Sequence, residues 1–402
     1  MTDPLDFADA LWRGEEHHPF GAAGAVEIDR RTLFVASFGN SIALRTEDGL
    51  VVVDSGSPFT ATTIRDAVGE WADDPVETIV YTHGHIDHVM GAGVIGSAGT
   101  RVIAHEHVPA RFDRYRLTAG YNAWINRRQF GVDDIEWPTE YRYPDVLYRD
   151  AHTLELGGET FELRHGKGET DDATWLWAPE RDLICCGDFF IWACPNAGNP
   201  QKAQRYPREW SVALREMAQL GARALLPGHG PPVVGADRVA SVLNDSAALL
   251  EDLVEQTLKL MNEGASLPEI MDRIRLPQQL SKPYLRPVYD EPGFIVRNVW
   301  RLYGGWFDGD PSTLKPAPRG DVASEIAALA GGPKNLADRA ATLLDDGNLP
   351  LAAHLVEIAA LSAPEDPEIR ALYARIYEAR AGVEISTMSK GIYTWAARES
   401  ND

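Results

Sequence analysis

Within the stretch ETIVYTHGHIDHVMGAG (77–93), His83, His85, Asp87 and His88 fall in six consecutive positions. No other feature of the chain limits its fold so sharply. ETIVY reads as a strand. Residues in the extended piece that follows alternate in direction, so His83 and His85 point the same way and can grip one metal ion. Asp87 and His88 come at the turn and can reach a second. Imidazole and carboxylate donors together suit zinc, manganese or iron. Two donors per ion are too few, so the fold must bring others from elsewhere. The ends of other strands are the natural source, because the loop itself sits at a strand end. Three residues qualify: Glu169 in HGKGETDDA after the strand TFELRH, Asp188 at the end of DLICCGD, and His229 in LLPGHG.

The rest of the pattern agrees with a layered α/β domain. LFVASF, SIALRT and LVVVD (33–54) read as short strands, and the turn EDG at 47–49 fits a hairpin. Further strands are expected at RVIAH, TFELRH, ATWLWAP, DLICCGD and ALLPGHG, with helical patterns near 60–71 and in REWSVALREMAQLG between some of them. After about residue 236 the chain reads mostly as helices, interrupted by the Pro- and Gly-rich passage GGWFDGDPSTLKPAPRG. The segment from Asn335 to Arg380 looks like antiparallel helix hairpins, similar to tetratricopeptide units but without a repeating period. A chain of 402 residues suits two domains. We expect a catalytic domain over 1–245 and an all-α domain over 246–402.

Charge and cysteine use narrow the partners. A formal net charge of −22 argues against nucleic acid or an anionic membrane surface. No apolar run of about 18 residues marks a membrane span, and the acidic N-terminus does not read as a signal peptide. Three cysteines, Cys185, Cys186 and Cys194, lack CxxC spacing and fit a reduced, cytoplasmic setting.

THGHIDH resembles the HxHxDH signature of the metallo-β-lactamase superfamily, and the later CGD and PGHG resemble its bridging aspartate and last histidine. The resemblance implies an αββα sandwich with a dinuclear site at one edge of the sheets. Where that superfamily usually has a histidine in a GHTPGS-like turn, this chain has GETDDA, so Glu169 takes the third-ligand place. His165 is then a loop histidine or a residue behind the ligands. Glutamate there resembles the alkylsulfatase branch, as does RNVWRLYGGWFDGDPSTLKP (297–316), similar to that branch's YxGWFDGNPxxL segment. The helices beyond resemble its dimerisation domain and imply a homodimer. No counterpart of the branch's C-terminal sterol-carrier-like domain is expected, which argues against a long-chain detergent substrate.

The resemblance implies two Zn2+ ions, with His83, His85 and Glu169 on one, Asp87, His88 and His229 on the other, and Asp188 bridging. A metal-bridging hydroxide would attack a small anionic ester, most simply a sulfate ester, with Asp87 and Asp188 as the catalytic carboxylates. A lactonase, thioesterase or phosphodiester hydrolase is the alternative on the same scaffold. Two divalent ions are balanced by Asp87, Glu169, Asp188 and hydroxide, so an anionic substrate needs extra positive charge from side chains. The stretch IWACPNAGNPQKAQRYPREW (191–210) supplies Asn196, Lys202, Arg205 and Tyr206 as substrate-binding residues. It matches only in part the alkylsulfatase stretch THNLHNLLTLRG, whose histidines are missing here. Tyr121, Asn122 and Arg127 in ARFDRYRLTAGYNAWINRRQF either line the pocket or belong to a helix packed on its own domain. Asp54 either orients a ligand histidine or caps its strand. His105 and His107 imitate ligand spacing but are read as packing or surface residues.

Overall fold

The structure is a computed structural model that describes residues 3–399; the two positions before and the three after these, within the expected domains, lie outside the described residues. The chain divides into two compact units: one holds residues up to 119, 137–265 and 269–303, the other 120–136, 266–268 and from 304 onward.

The first unit holds two sheets. The first sheet runs, in spatial order, β1 (Gly24–Asp29), β2 (Thr32–Ala36), β3 (Ser41–Thr46), β4 (Gly49–Val53), β5 (Val76–Val80), β6 (Arg101–His105) and β7 (Val146–Tyr148). The second comprises β8 (Ala151–Leu156), β9 (Glu159–His165), β10 (Thr174–Ala178), β11 (Leu183–Gly187), β12 (Ala224–Pro227) and β13 (Val233–Val234), again as sequential neighbours. Alternation within the strands decides the layers. Val51 and Val53 of β4 join Phe34, Ile42, Val80 and Ile103 in a core shared with Leu163, Trp175, Leu183 and Leu225 of the second sheet. Their neighbours Leu50 and Val52 face the other way, against Ile64 and Val68 of the helix Ala61–Trp71 and Phe112 of the helix Val108–Leu117. On the far side of the second sheet, Trp210, Leu214 and Met217 of the helix Pro207–Gln219 and a row of leucines on the helix Ala236–Asn262 complete the core. Helices thus cover both outer faces, the αββα sandwich expected from the motifs.

The strands read from sequence are present, and Thr46 pairs with Gly49 across the expected hairpin. Strands β1, β7, β8 and β13 are additional. The division expected at 245/246 falls inside the helix Ala236–Asn262, whose Leu249, Leu250 and Leu253 belong to the first unit's core. The composition change near residue 236 therefore marks a helical layer of the sandwich.

Parallel pairing matters for the site. β4, β5 and β6 run parallel, as do β11 and β12. Parallel neighbours end on the same side, and loops at carboxyl ends of strands gather there. Asp54 follows β4, the histidine loop follows β5, Asp188 follows β11 and His229 follows β12.

The second unit is helical. Its core comprises Leu336, Ala340, Leu343, Ala352, Val356, Ala359, Ile369 and Ile376, from the helices Pro333–Asp345, Leu349–Ser362 and Pro367–Val383.

Candidate metal centre

The histidine loop leaves β5 and turns at once into the four-residue helix Ile86–Val89. His83 and His88 are buried, and the Nε2 of His83 lies 2.8 Å from the Nδ1 of His85. Asp188 sits among them: its Oδ2 is 3.7 Å from His83 Nε2 and 3.4 Å from His229 Nε2, and its Oδ1 is 3.5 Å from His88 Nε2. Asp87 Oδ2 lies 3.4 Å from His229 Nε2 and 3.7 Å from His88 Nε2. Glu169 Oε1 lies 3.8 Å from His85 Nδ1. Three overlapping donor groups result: His83, His88 and Asp188; Asp87, His88 and His229; and His85, Glu169 and Asp188, each within 4.8 Å of one another. All seven residues singled out from the sequence are brought together.

The chemistry of this cluster fits cations. His88 Nε2 and Asp188 Oδ1 are buried without a hydrogen-bond partner, a costly state for polar atoms that point at one another's neighbourhood. Burial opposes charge at every member, yet Asp188 and Asp87 raise His88 to about 9 and hold His229 well above its ordinary value. Burial is likewise overcome at Asp87, held down to about 2 by His88 and His229, and at Asp188, held far below the carboxylate range by His229 and His88. Burial, reinforced by His88, lowers His83 to about 4, and burial with His83 and Arg111 lowers His85 well below its ordinary value. Protons thus collect on two histidines because the carboxylates call for positive charge. Metal ions would satisfy the same demand, displacing those protons as they bind.

Residues behind the cluster fix its orientation. Asp54, at φ 58° where β4 ends, accepts from His88 Nδ1 at 2.8 Å and from the backbone N–H and the hydroxyl of Thr82, both at 2.7 Å. That bond leaves His88 Nε2 to face the carboxylates. The side-chain contacts of Asp54 are to His88 and Thr82, so it orients the His88 ring. Asp172 accepts from the N–H of Gly84, between the two histidines, at 3.1 Å and from Arg111 Nε at 2.7 Å. Both side chains are buried; burial works against Asp172's charge, but Arg111 holds the carboxyl down to about 2. Sequence reasoning missed this pair. Arg111 opens a stretch that drew attention only for its later residues, and Asp172 follows Glu169 by three positions.

The proposed substrate residues separate into groups. Asn196 Nδ2 donates to Glu169 Oε1 at 2.6 Å, and Arg205 donates to the same oxygen at 2.9 Å. The other Arg205 nitrogens reach the carbonyls of Ala203 and Asn196. Burial, despite Arg205, pushes Glu169 up to about 8. Lys202 Nζ lies 5.6 Å above the Trp137 ring, and burial with Arg205 nearby lowers its ammonium to about 8. Tyr206 stacks under Lys167, 5.2 Å from its Nζ. Tyr121 and Asn122 lie on the helix Ala119–Phe130 in the part of the chain assigned to the second unit; Tyr121 is 60% exposed and Asn122 buried. Arg127, on the same helix, is tied to the carbonyl of Ile135. His165 stacks on His105 with centroids 3.8 Å apart and bonds to the carbonyl of Ala173, so both stand outside the donor groups.

A sandwich with histidines and carboxylates at the carboxyl ends of its strands defines a metal-site α/β class. Residues 35–229 match the model of the metallo-β-lactamase superfamily. Residues 266–402 match the alkyl sulfatase dimerisation family. It is 24% identical over 388 residues to a linear primary-alkylsulfatase of Pseudomonas sp., covering 89% of this chain and 73% of that protein. It is 26% identical to an (R)-specific secondary-alkylsulfatase of Pseudomonas sp., covering 90% of this chain but 59% of that one. The structure of the stereoselective inverting sec-alkylsulfatase Pisa1 from Pseudomonas sp. superposes with a TM-score of 0.87 at 23% identity, over 97% of this chain and 67% of that one. This likeness establishes the fold.

Proposed function

We propose that the protein is a dinuclear metal-dependent hydrolase of a sulfate ester or similar small anionic ester. The observation that carries this reading is the overlap of three donor groups through His88 and Asp188. His83, His85 and Glu169 would hold one zinc ion, Asp87, His88 and His229 the other, with Asp188 shared. Bound there, such ions supply Lewis acidity and a nucleophile at neutral pH. Asp54 holds His88 with Nε2 turned inward, while Arg205 and Asn196 hold Glu169. Asp87 and Asp188 would serve as the catalytic carboxylates. Lys202 remains largely charged at neutral pH and offers an anion the positive charge that a near-neutral metal site lacks. The alkylsulfatase names of the matched relatives support the same substrate class.

One observation favours a second reading on this scaffold, a lactonase, thioesterase or phosphodiester hydrolase. Arg205 spends its guanidinium on Glu169 and two carbonyls, so it is not poised for bidentate capture of sulfate. The helical unit is proposed to make a homodimer, in keeping with its family. Three fully buried free thiols fit a reducing, cytoplasmic home.

Metal content by mass spectrometry, together with turnover of sulfate esters, lactones, thioesters and phosphodiesters, tests the reading. We expect about two zinc equivalents, roughly one in Glu169→Ala, and zinc-dependent release of sulfate. Unchanged zinc in the variant would remove Glu169 as a ligand. Turnover confined to the other esters would establish the second reading.

A further inference from the structure

The rim of the metal centre has two unlike sides. Beside Glu169 lie Asn196 and Arg205, polar and cationic. Beside His229 the surroundings are aromatic. The Phe38 ring lies 5.3 Å from the His229 ring, and the Phe20 ring lies 5.6 Å from it, edge to face. Phe20 in turn meets Phe38 at 6.1 Å and Tyr289 at 5.5 Å, both edge-on. Three separate segments supply these rings: the short turn Pro19–Gly21, the β2–β3 loop and the loop before Pro292.

The β2–β3 loop is seated firmly. Asn40 Nδ2 donates to the carbonyls of Pro227 and Gly230, on either side of His229, and the Asn40 N–H donates to Gly228. A Cβ on Gly39, at φ 82°, would lie 2.0 Å from the Asp87 carbonyl oxygen, so that position is closed to any side chain. Phe38 is nevertheless 44% exposed. A large apolar ring is therefore held at the edge of a metal-ligand histidine with nearly half its surface uncovered.

We propose that Phe38, backed by Phe20 and Tyr289, seats the organic part of the substrate and selects an aromatic leaving group. The inference rests on the ester-hydrolase reading of the same site. Aromatic rings gain from edge-to-face contact with other rings beyond the area they bury, a gain that a flexible alkyl chain does not share. The chemistry agrees. An aromatic carbon bearing the ester oxygen is shielded from rear attack, so water's oxygen bonds to sulfur and the sulfur–oxygen bond to the ring breaks. The phenolate departs with that bond's electrons and takes one proton from the water, giving a phenol and hydrogensulfate, which releases water's second proton to solvent. A phenol ionises near pH 10, so its oxygen leaves with little help from a proton donor.

Phenyl sulfate and n-hexyl sulfate, equal in carbon number, separate the possibilities. Zinc-loaded wild type, Phe38→Ala and Phe38→Tyr are compared by kcat/KM and by calorimetric binding, after circular dichroism and zinc content confirm each is folded and loaded. The phenyl-to-hexyl ratio of kcat/KM should fall about tenfold in Phe38→Ala and stay near wild type in Phe38→Tyr, with a matching loss of phenyl sulfate affinity. A ratio unchanged by Phe38→Ala overturns the inference and leaves the hydrolase reading intact. If neither ester turns over but phenyl sulfate binds more tightly and Phe38→Ala abolishes that advantage, the aromatic seat stands and the sulfatase reading falls. Equal binding of the two esters without turnover overturns the aromatic seat.

Discussion

The two compact units bury quite different residues. The sheet unit encloses Asp54, His83, His88, Arg111, Glu169, Asp172, Arg181, Asp188, Arg205 and Asp290. The helical unit encloses leucine, valine, isoleucine and many alanines, and among the described residues its buried polar side chains are Asn122, Asn126, Gln129, Ser386 and Ser389, none of them ionised. Buried charge costs stability unless each group is paired. The sheet unit accepts that cost where charge is needed for chemistry, whereas the helical unit is built for cohesion.

Breaking a pair in the sheet unit should therefore cost more than opening a hole in the helical one. Asp172→Ala strips the buried Arg111 of its buried carboxylate partner, leaving it only the more exposed Asp171, and the Gly84 N–H of its acceptor. We expect a loss of about 3–5 kcal/mol in urea unfolding, together with weaker zinc retention because the histidine loop loses its anchor. Replacing both partners, Arg111→Met with Asp172→Leu, should recover much of the stability but not the zinc; recovery of both would mean the pair has no bearing on the loop. Leu343→Ala, in the helical core, should cost about 2–3 kcal/mol and leave zinc content unchanged. A loss of zinc there would erase the contrast between the units.

The last effect is a slope. Asp290 is fully buried and accepts from the N–H groups of Gly198, Asn199 and Glu291, pinning the loop that carries Asn196 and Arg205. Burial pushes its carboxyl up to about 7. The folded state then holds a proton that the unfolded chain releases near pH 4. This contribution is present in full below that value and is lost as pH rises through about 7. Stability of the wild type relative to Asp290→Asn should fall over that window by at most about 1.4 kcal/mol per pH unit. Parallel stability curves from denaturation at several pH values would show that Asp290 carries no such proton.

What could be read from the sequence follows the same divide between local and distant relations. The candidate ligands His83 to His88 announce themselves because a strand and its turn are contiguous in the chain. Asp188 and His229 were legible because each closes a strongly apolar strand. By contrast, β1, β7, β8 and β13 escaped notice. VLY and VV are too short for a period, and GAVEID and AHTLEL carry polar residues at positions that only pairing with β2 and β9 makes extended. The supports of the site were harder still. Arg111 meets Asp172 across 61 positions, and Asp54 meets His88 across 34; no spacing rule spans such gaps. The division near 245 was misplaced for a related reason, since an amphipathic helix looks the same whether it covers a sheet or joins a bundle.

The tightness beneath the metal centre also bears on how such a protein could change. A Cβ at Gly228 would stand 2.3 Å from Asp188 Oδ1, just as one at Gly39 would collide with the Asp87 backbone. The floor of the site thus tolerates almost no variation. Phe38, next to one of these glycines, projects outward and can be exchanged without disturbing it. In a laboratory selection for new esters, accepted substitutions should accumulate on that rim and spare the glycines, so that substrate range drifts while the metal-holding floor stays fixed.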